Sequence, residues 1–311
     1  MSTQNAVRPI VQPAAQRKLP RQDKYAPYFF VSPFYILFTI FFLLPSGFAL
    51  VLGFLKWNSM GDPEWFALRN YERLFGDEVF WLSVSNTIFY AAGSLFVVVP
   101  LALLEAMALN SKRLRFRTLW RAFYFAPIVT SAVAISLVFR MLYNKEYGLL
   151  NQFIMALGGL PIDWLGNQSI VKIAVMGVVV WRWTGLLAVY FLAGLQSISE
   201  ELYEAAAIDG ASGFQRFLNV TLPSLRPVIL FVSVIVLIGS LQIFDDPQIL
   251  FGSGTPGGPA NAGFSIVQYL YSRGIQQLLY GYASAVGLFL FVIIFVLSLV
   301  QFRVFRGFEN D

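Results

Sequence analysis

The chain has 311 residues, of which 57% are hydrophobic and only 13% charged, about half the charged share of an ordinary soluble domain, and its mean hydropathy is +0.65. So few charges could not cover a soluble core of this size, which excludes a cytosolic enzyme, a disordered regulator and a coiled coil and leaves a chain whose solvent is mostly lipid. Cysteine and histidine are both absent, which excludes disulfides, Cys-ligated zinc, thiol nucleophiles and the commonest general base, while a net charge of +5 calls either for nucleic acid or for membrane topology.

In chain order, residues 1–27 are polar, carry Pro9, Pro13, Pro20 and five basic residues, and read as a flexible cytoplasmic tail. A cleaved signal is not expected, because the apolar run that follows is far longer than the roughly 7–15 residues of a signal core. No charge interrupts residues 25–55. About 20 apolar residues cross the hydrocarbon, so a first membrane span is expected over about 28–55. The uncharged run 79–104 predicts a second at 83–109. Within it Asn86 and Tyr90 either face a cavity or bond to a neighbouring helix. The run 122–139 predicts a third span at 119–142. Glu105 and Arg140 lie at span ends, where snorkelling accounts for them. The next stretch, YGLLNQFIMALGGLPI at 147–162, contains Asn151, Gln152 and three glycines and is short, so it reads as an interfacial helix.

A fourth span, 170–196, carries Arg182 between Trp181 and Trp183. An ionisable residue inside a span costs roughly 2.5–3.5 kcal/mol on insertion scales, so each is a site hypothesis. Arginine offers a donor fork, and tryptophan a face for sugar C–H groups. A fifth span, 226–246, ends in Gln242, Asp245 and Asp246, and a sixth is expected at 277–303 before a short cytoplasmic tail at 307–311. The competing reading of Arg182 is an internal ion pair with one of these aspartates that only locks helices together. Lipid leaves no open backbone satisfied, and the runs lack barrel alternation, so the fold class is all-α: a polytopic membrane protein with six transmembrane helices.

Basic residues number 14 in the 78 residues of the segments 1–27, 110–121, 197–226 and 303–311, against six in the 91 residues of 56–84, 143–172 and 247–278. The bias places both termini in the cytoplasm and accounts for the positive charge without nucleic acid.

One inner loop is unlike the others. Residues 197–226 are net acidic, with Glu200, Glu201, Glu204 and Asp209 against Arg216 and Arg226. Ser199 is placed to cap a helix whose first turn carries Glu200 and Glu201. Asp209 and Gly210 break it, Ser212 can cap a second helix bearing Phe214, Phe217 and Leu218, and Pro223 closes the unit. Such a helix–turn–helix is either a surface connector or a docking knob for a cytoplasmic partner.

The run Glu204-Ala205-Ala206-Ala207-Ile208-Asp209-Gly210-Ala211, followed by Leu222-Pro223, resembles the EAA coupling loop of ATP-binding-cassette importer permeases, with Val220 where isoleucine is usual. Residues 70–90, the GLLN at 148–151 and FDDPQILFGSGTPGGP at 244–259 resemble carbohydrate-uptake permeases of the maltose-permease type, so the likeness runs from about 27 to 306. That resemblance implies one half of a heterodimeric permease. The other parts are a second permease, two ATPase subunits that bind ATP and Mg, and an extracytoplasmic solute-binding protein that delivers a sugar. It implies ATPase coupling through Glu204, Ala205, Ala206, Asp209, Gly210, Phe214, Leu218, Leu222 and Pro223. It also puts Arg182, Trp183, Leu186, Gln242 and Asp246 on substrate-lining positions, with Asp245 beside them, and the side chains differ from the maltose type.

The chain itself is expected to bind no cofactor or metal. None of its six lysines follows a glycine, so it lacks the Lys of a Walker A loop. The alternative is a secondary transporter of small polar solutes, which would need midplane coupling residues and internal repeats and would leave the EAA-like loop unexplained.

Overall fold

The computed structural model describes residues 21–58, 61–111, 114–252 and 255–307. The two tails read from the sequence therefore fall largely or wholly outside the described residues. The chain divides into two units, the first ending at Ala49 and the second beginning at Leu50.

The described part of the first unit is most of helix α1, residues 21–52, which is apolar over Tyr25–Leu52. Phe34, Phe38 and Phe42 lie one turn apart and stack at centroid distances of 5.8 and 4.9 Å. Helix α1 widens into a π turn at Thr39–Leu43, two residues before Pro45. The same device recurs at Ser94–Val98 before Pro100 and at Phe217–Thr221 before Pro223. A proline inside a helix lacks its N–H and clashes with the carbonyl four residues back; a wider preceding turn relieves both.

The second unit begins with a short antiparallel ribbon, β1 (Leu55–Lys56) against β2 (Glu64–Trp65), and the short helix α2 (Arg69–Phe75). Asn70 donates to the Gly53 and Leu55 carbonyls at 3.0 and 2.9 Å and so fixes the ribbon's entry. Helix α3 spans Glu78–Asn110. Then come α4 (Arg117–Val129) and α5 (Ala132–Leu142), the short helix α6 (Leu149–Ala156), the long α7 (Val171–Gln196), and the pair α8 (Glu200–Ile208) and α9 (Gly213–Arg216). The chain ends with α10 (Arg226–Leu241), α11 (Asp245–Phe251), α12 (Ile266–Tyr271) and α13 (Tyr280–Gly307). Among the described residues five helical stretches are long and apolar enough to cross a membrane, or six if the bent pair α4–α5 counts as one.

That bend differs from the sequence expectation of one helix over 119–142. α4 and α5 meet at 99°. Thr130 turns to an extended conformation (ψ 139°), and Ser131 accepts from the Val133 N–H as the cap of a new helix. A count of uncharged residues does not register a Thr-Ser pair that satisfies its own backbone.

Helix α7 supplies much of the first core of the second unit. α3 lies along it through small residues: Ala102, Ala106, Ala174 and Ala188 are at most 1% exposed, which lets backbones approach without a polar core. Gly185 allows the closest approach, because a Cβ there would overlap the Tyr124 carbonyl of α4.

A second core sits around α2, the start of α3, α12 and α13, built on Leu74, Phe80, Tyr269, Tyr282 and Val286. Its polar hub is Asp77. One carboxylate oxygen accepts from the Val79 and Phe80 N–H groups at 2.9 and 3.2 Å; the other accepts from Tyr269 Oη at 2.6 Å and Arg273 Nη2 at 3.2 Å. Burial would push the Asp77 carboxyl up, but these donors and the Arg273 charge outweigh it and hold it below its usual range.

Candidate functional site

The acidic loop of residues 197–226 folds as the capped helix pair that its residues call for. Ser199 Oγ accepts from the Glu201 N–H at 3.2 Å. Ser212 and Gln215 exchange a capping box, Gln215 N–H to Ser212 Oγ at 3.3 Å and Ser212 N–H to Gln215 Oε1 at 2.8 Å. Between them Gly210 takes φ +77°, its N–H reaching the Ala207 carbonyl at 3.1 Å while the Ala211 N–H reaches Ala206 at 2.9 Å. That is a Schellman stop, and it needs a residue free to be left-handed. Tyr203 Oη meets Thr221 Oγ1 at 2.9 Å, tying α8 to the π turn after α9.

With the ends satisfied, the apolar side chains of the pair face outward. Ile208 is 87% exposed and Phe214 70%, and Leu202 and Leu218 are exposed as well. Glu204, Ala205 and Asp209 are exposed, while Ala206, Leu222 and Pro223 are half-buried. Two large apolar groups thus stand exposed on one capped helix pair.

The second candidate lies where a span is interrupted. α10 stops at Leu241 and α11 starts at Asp245, and the non-helical residues between are Gln242, Ile243 and Phe244. Open backbone at membrane depth is tolerated where it is buried in protein or lines a cavity. Here both hold. Ser265 Oγ donates to the Ile243 carbonyl at 2.7 Å, and the break borders a cavity of about 190 Å³ between α3, α7 and α10–α11. Arg182, Trp183, Gln242, Asp245 and Asp246 all line it. Leu186, one turn beyond Arg182, is half-buried and does not; Leu187 lines it instead. Trp181, 100° around the helix from Arg182, is 48% exposed and packs on Phe139 away from this cavity.

Arg182 and Asp246 form an ion pair, Nη1 to Oδ1 at 2.8 Å, with their side chains 17% and 4% exposed. The internal pair weighed from the sequence therefore exists, between α7 and α11. Arg182 also lies 5.4 Å from the centre of the Trp183 ring. A guanidinium has five N–H donors, and the pair occupies one of them.

One lining residue carried no signal in the sequence beyond a Gly-Ser step inside a span. Ser94 is 3% exposed, lines the cavity, and its hydroxyl has no hydrogen-bond partner among the described residues.

Asn86 and Tyr90 do not face this cavity. Asn86 donates to the Asn261 and Phe264 carbonyls, both at 3.1 Å, and Tyr90 to Gly263 at 2.9 Å, so they clamp the turn after α11. Glu105 departs from the snorkelling account: its Oε1 is buried and lacks a partner among the described residues, in a groove with Trp120, Tyr124 and Trp181. The asparagine of GLLN is structural. Asn151 donates to the Asn144, Lys145 and Ile162 carbonyls and accepts from the Ile162 N–H and Trp164 Nε1, gathering residues 144–164 about one buried side chain.

Comparison with known proteins gives a consistent group. The family model described as "binding-protein-dependent transport system inner membrane component" matches residues 98–310. The arabinooligosaccharides transport system permease protein of Bacillus subtilis (strain 168) is 35% identical over 309 residues, covering 98% of this chain and 97% of that protein. The lactose transport system permease protein of Rhizobium radiobacter is 35% identical over 280 residues, covering 89% and 93%. Among solved structures, a chain of a bacterial ABC transporter involved in the import of the acidic polysaccharide alginate superposes with a TM-score of 0.81 at 24% identity, covering 92% of this chain and 96% of that one.

Proposed function

The chain belongs to the family of inner-membrane components of binding-protein-dependent transport systems, and from that membership we propose that it forms, with a second permease subunit, the path of an ATP-binding-cassette importer for a carbohydrate. It is a transport component and not an enzyme. The observation that carries the reading is the exposed tip of Ile208 and Phe214 on a capped helix pair that joins two membrane-spanning helices. The names of the relatives, which specify arabinooligosaccharides and lactose, support a carbohydrate cargo.

In this reading both termini are cytoplasmic, and the helix pair seats in a cleft of an ATPase subunit. Phe214 and Leu218 fill apolar surface there, Ala205 and Ala206 allow close approach, and Glu204 pairs with a basic side chain. Asp209 and Gly210 form the turn, and Leu222 and Pro223 lead force into α10. ATP and Mg bind the two ATPase subunits, whose closure moves the pair as a unit, because its caps and the Tyr203–Thr221 bond leave it few ways to bend. An extracytoplasmic solute-binding protein delivers sugar to the outer face. Trp183 offers its ring to sugar C–H groups, while Gln242, Ser94 and the remaining Arg182 donors meet hydroxyls.

The test is reconstitution with all partners. Gly210→Trp and Glu204→Lys should insert normally and lose at least about tenfold of transport-linked ATP hydrolysis. Wild-type coupling in Gly210→Trp would refute the docking role.

A further inference from the structure

The cavity at the α10–α11 break has a charge that its arginine conceals. Three of its lining residues are ionisable: Arg182, Asp245 and Asp246. The Arg182 charge is cancelled locally by Asp246 at 2.8 Å. Asp245 is exposed at the cavity wall and has no ion-pair or hydrogen-bond partner among the described residues. This chain's share of the wall therefore carries a formal charge of −1. Gln242, Ser240, the unpartnered Ser94 hydroxyl and the remaining Arg182 N–H groups can hydrogen-bond sugar hydroxyls without adding net positive charge.

We propose that Asp245 is a charge filter: the path accepts uncharged carbohydrates and rejects those bearing carboxylate or phosphate groups. This rests on reading the cavity as part of the carbohydrate path. An arginine in a sugar site ordinarily suggests an acidic cargo. Here an incoming carboxylate would have to share Arg182 with Asp246, whose charge already offsets it, and would meet the like charges of both Asp246 and Asp245. At an effective dielectric of about 20–40 and a separation of ~8 Å, one like charge shifts a binding equilibrium by roughly fivefold to thirtyfold.

The experiment uses the complete transporter in nanodiscs with the solute-binding protein omitted, so that protein's own selectivity does not enter. Equilibrium binding is measured for a radiolabelled neutral pentose trisaccharide and a uronic-acid trisaccharide. Wild type should favour the neutral sugar by about fivefold or more at low salt. The gap should narrow in about 0.5 M NaCl and fall to within about twofold in Asp245→Asn. Equal binding of the two sugars by wild type, a preference for the acidic one, or a gap that survives Asp245→Asn overturns the filter. Trp183→Ala is the separate control on the site: unchanged affinity for both sugars there would remove the cavity from the path, whatever Asp245 does.

Discussion

Arg182 and Asp246 form a buried pair whose partners cannot be removed singly without cost. Arg182→Ala or Asp246→Ala leaves one buried charge alone, on the order of 3 kcal/mol, and should lower the melting temperature of the purified complex. The double variant Arg182→Met, Asp246→Leu should recover most of that stability and still fail in transport, because the donors facing the cavity are gone. Full transport by the double variant would reduce the pair to a helix lock. Asp77 gives a pH signature. Its folded-state carboxyl lies below the ordinary aspartate range, so its contribution is complete above the unfolded value, near pH 4, and is lost as pH falls through the folded value. Thermal stability measured against pH should therefore decline on the acid side, and Asp77→Asn should flatten that limb while lowering stability at neutral pH.

Elements carry a different kind of information. Three of the four π turns among the described residues end two residues before a proline, so the sequence marks those widenings although a hydrophobicity count passes over them; the fourth, Ser272–Gln276, has no proline after it. The 99° bend at Thr130–Ser131 was hidden for the converse reason: neither residue is charged, and both look apolar enough to continue a span. Gly185 tests how α4 docks on α7. Valine there must displace the Tyr124 carbonyl, an overpacking of about 1–3 kcal/mol, and should increase amide exchange across Arg117–Val129 while sparing the capped pair at α8 and α9. Uniform loosening of both regions would argue against a local α4–α7 contact.

At the scale of the whole molecule, orientation is directly testable because the chain has no cysteine to remove. Glu64→Cys, on an exposed side chain of the ribbon, should react with an impermeant maleimide on intact cells. Ile208→Cys, 87% exposed, should react after permeabilisation alone. The reverse pattern would invert the topology. The chain's pattern was enough for the solvent, the helical class and the separation of the acidic helix pair from the spans, since these depend on hydrophobic run length and local capping along the chain. The caps at Ser199 and Ser212 and the turn at Gly210 were legible for the same reason, each being satisfied within a few residues. Packing decided the rest. Whether Arg182 met an aspartate, which face of α7 lined a cavity, and whether Asn86 and Tyr90 faced a cavity or bonded elsewhere all depended on groups distant in sequence, Arg182 and Asp246 standing 64 residues apart. An unpaired polar group inside a membrane has several possible partners, and only the assembled helices select one.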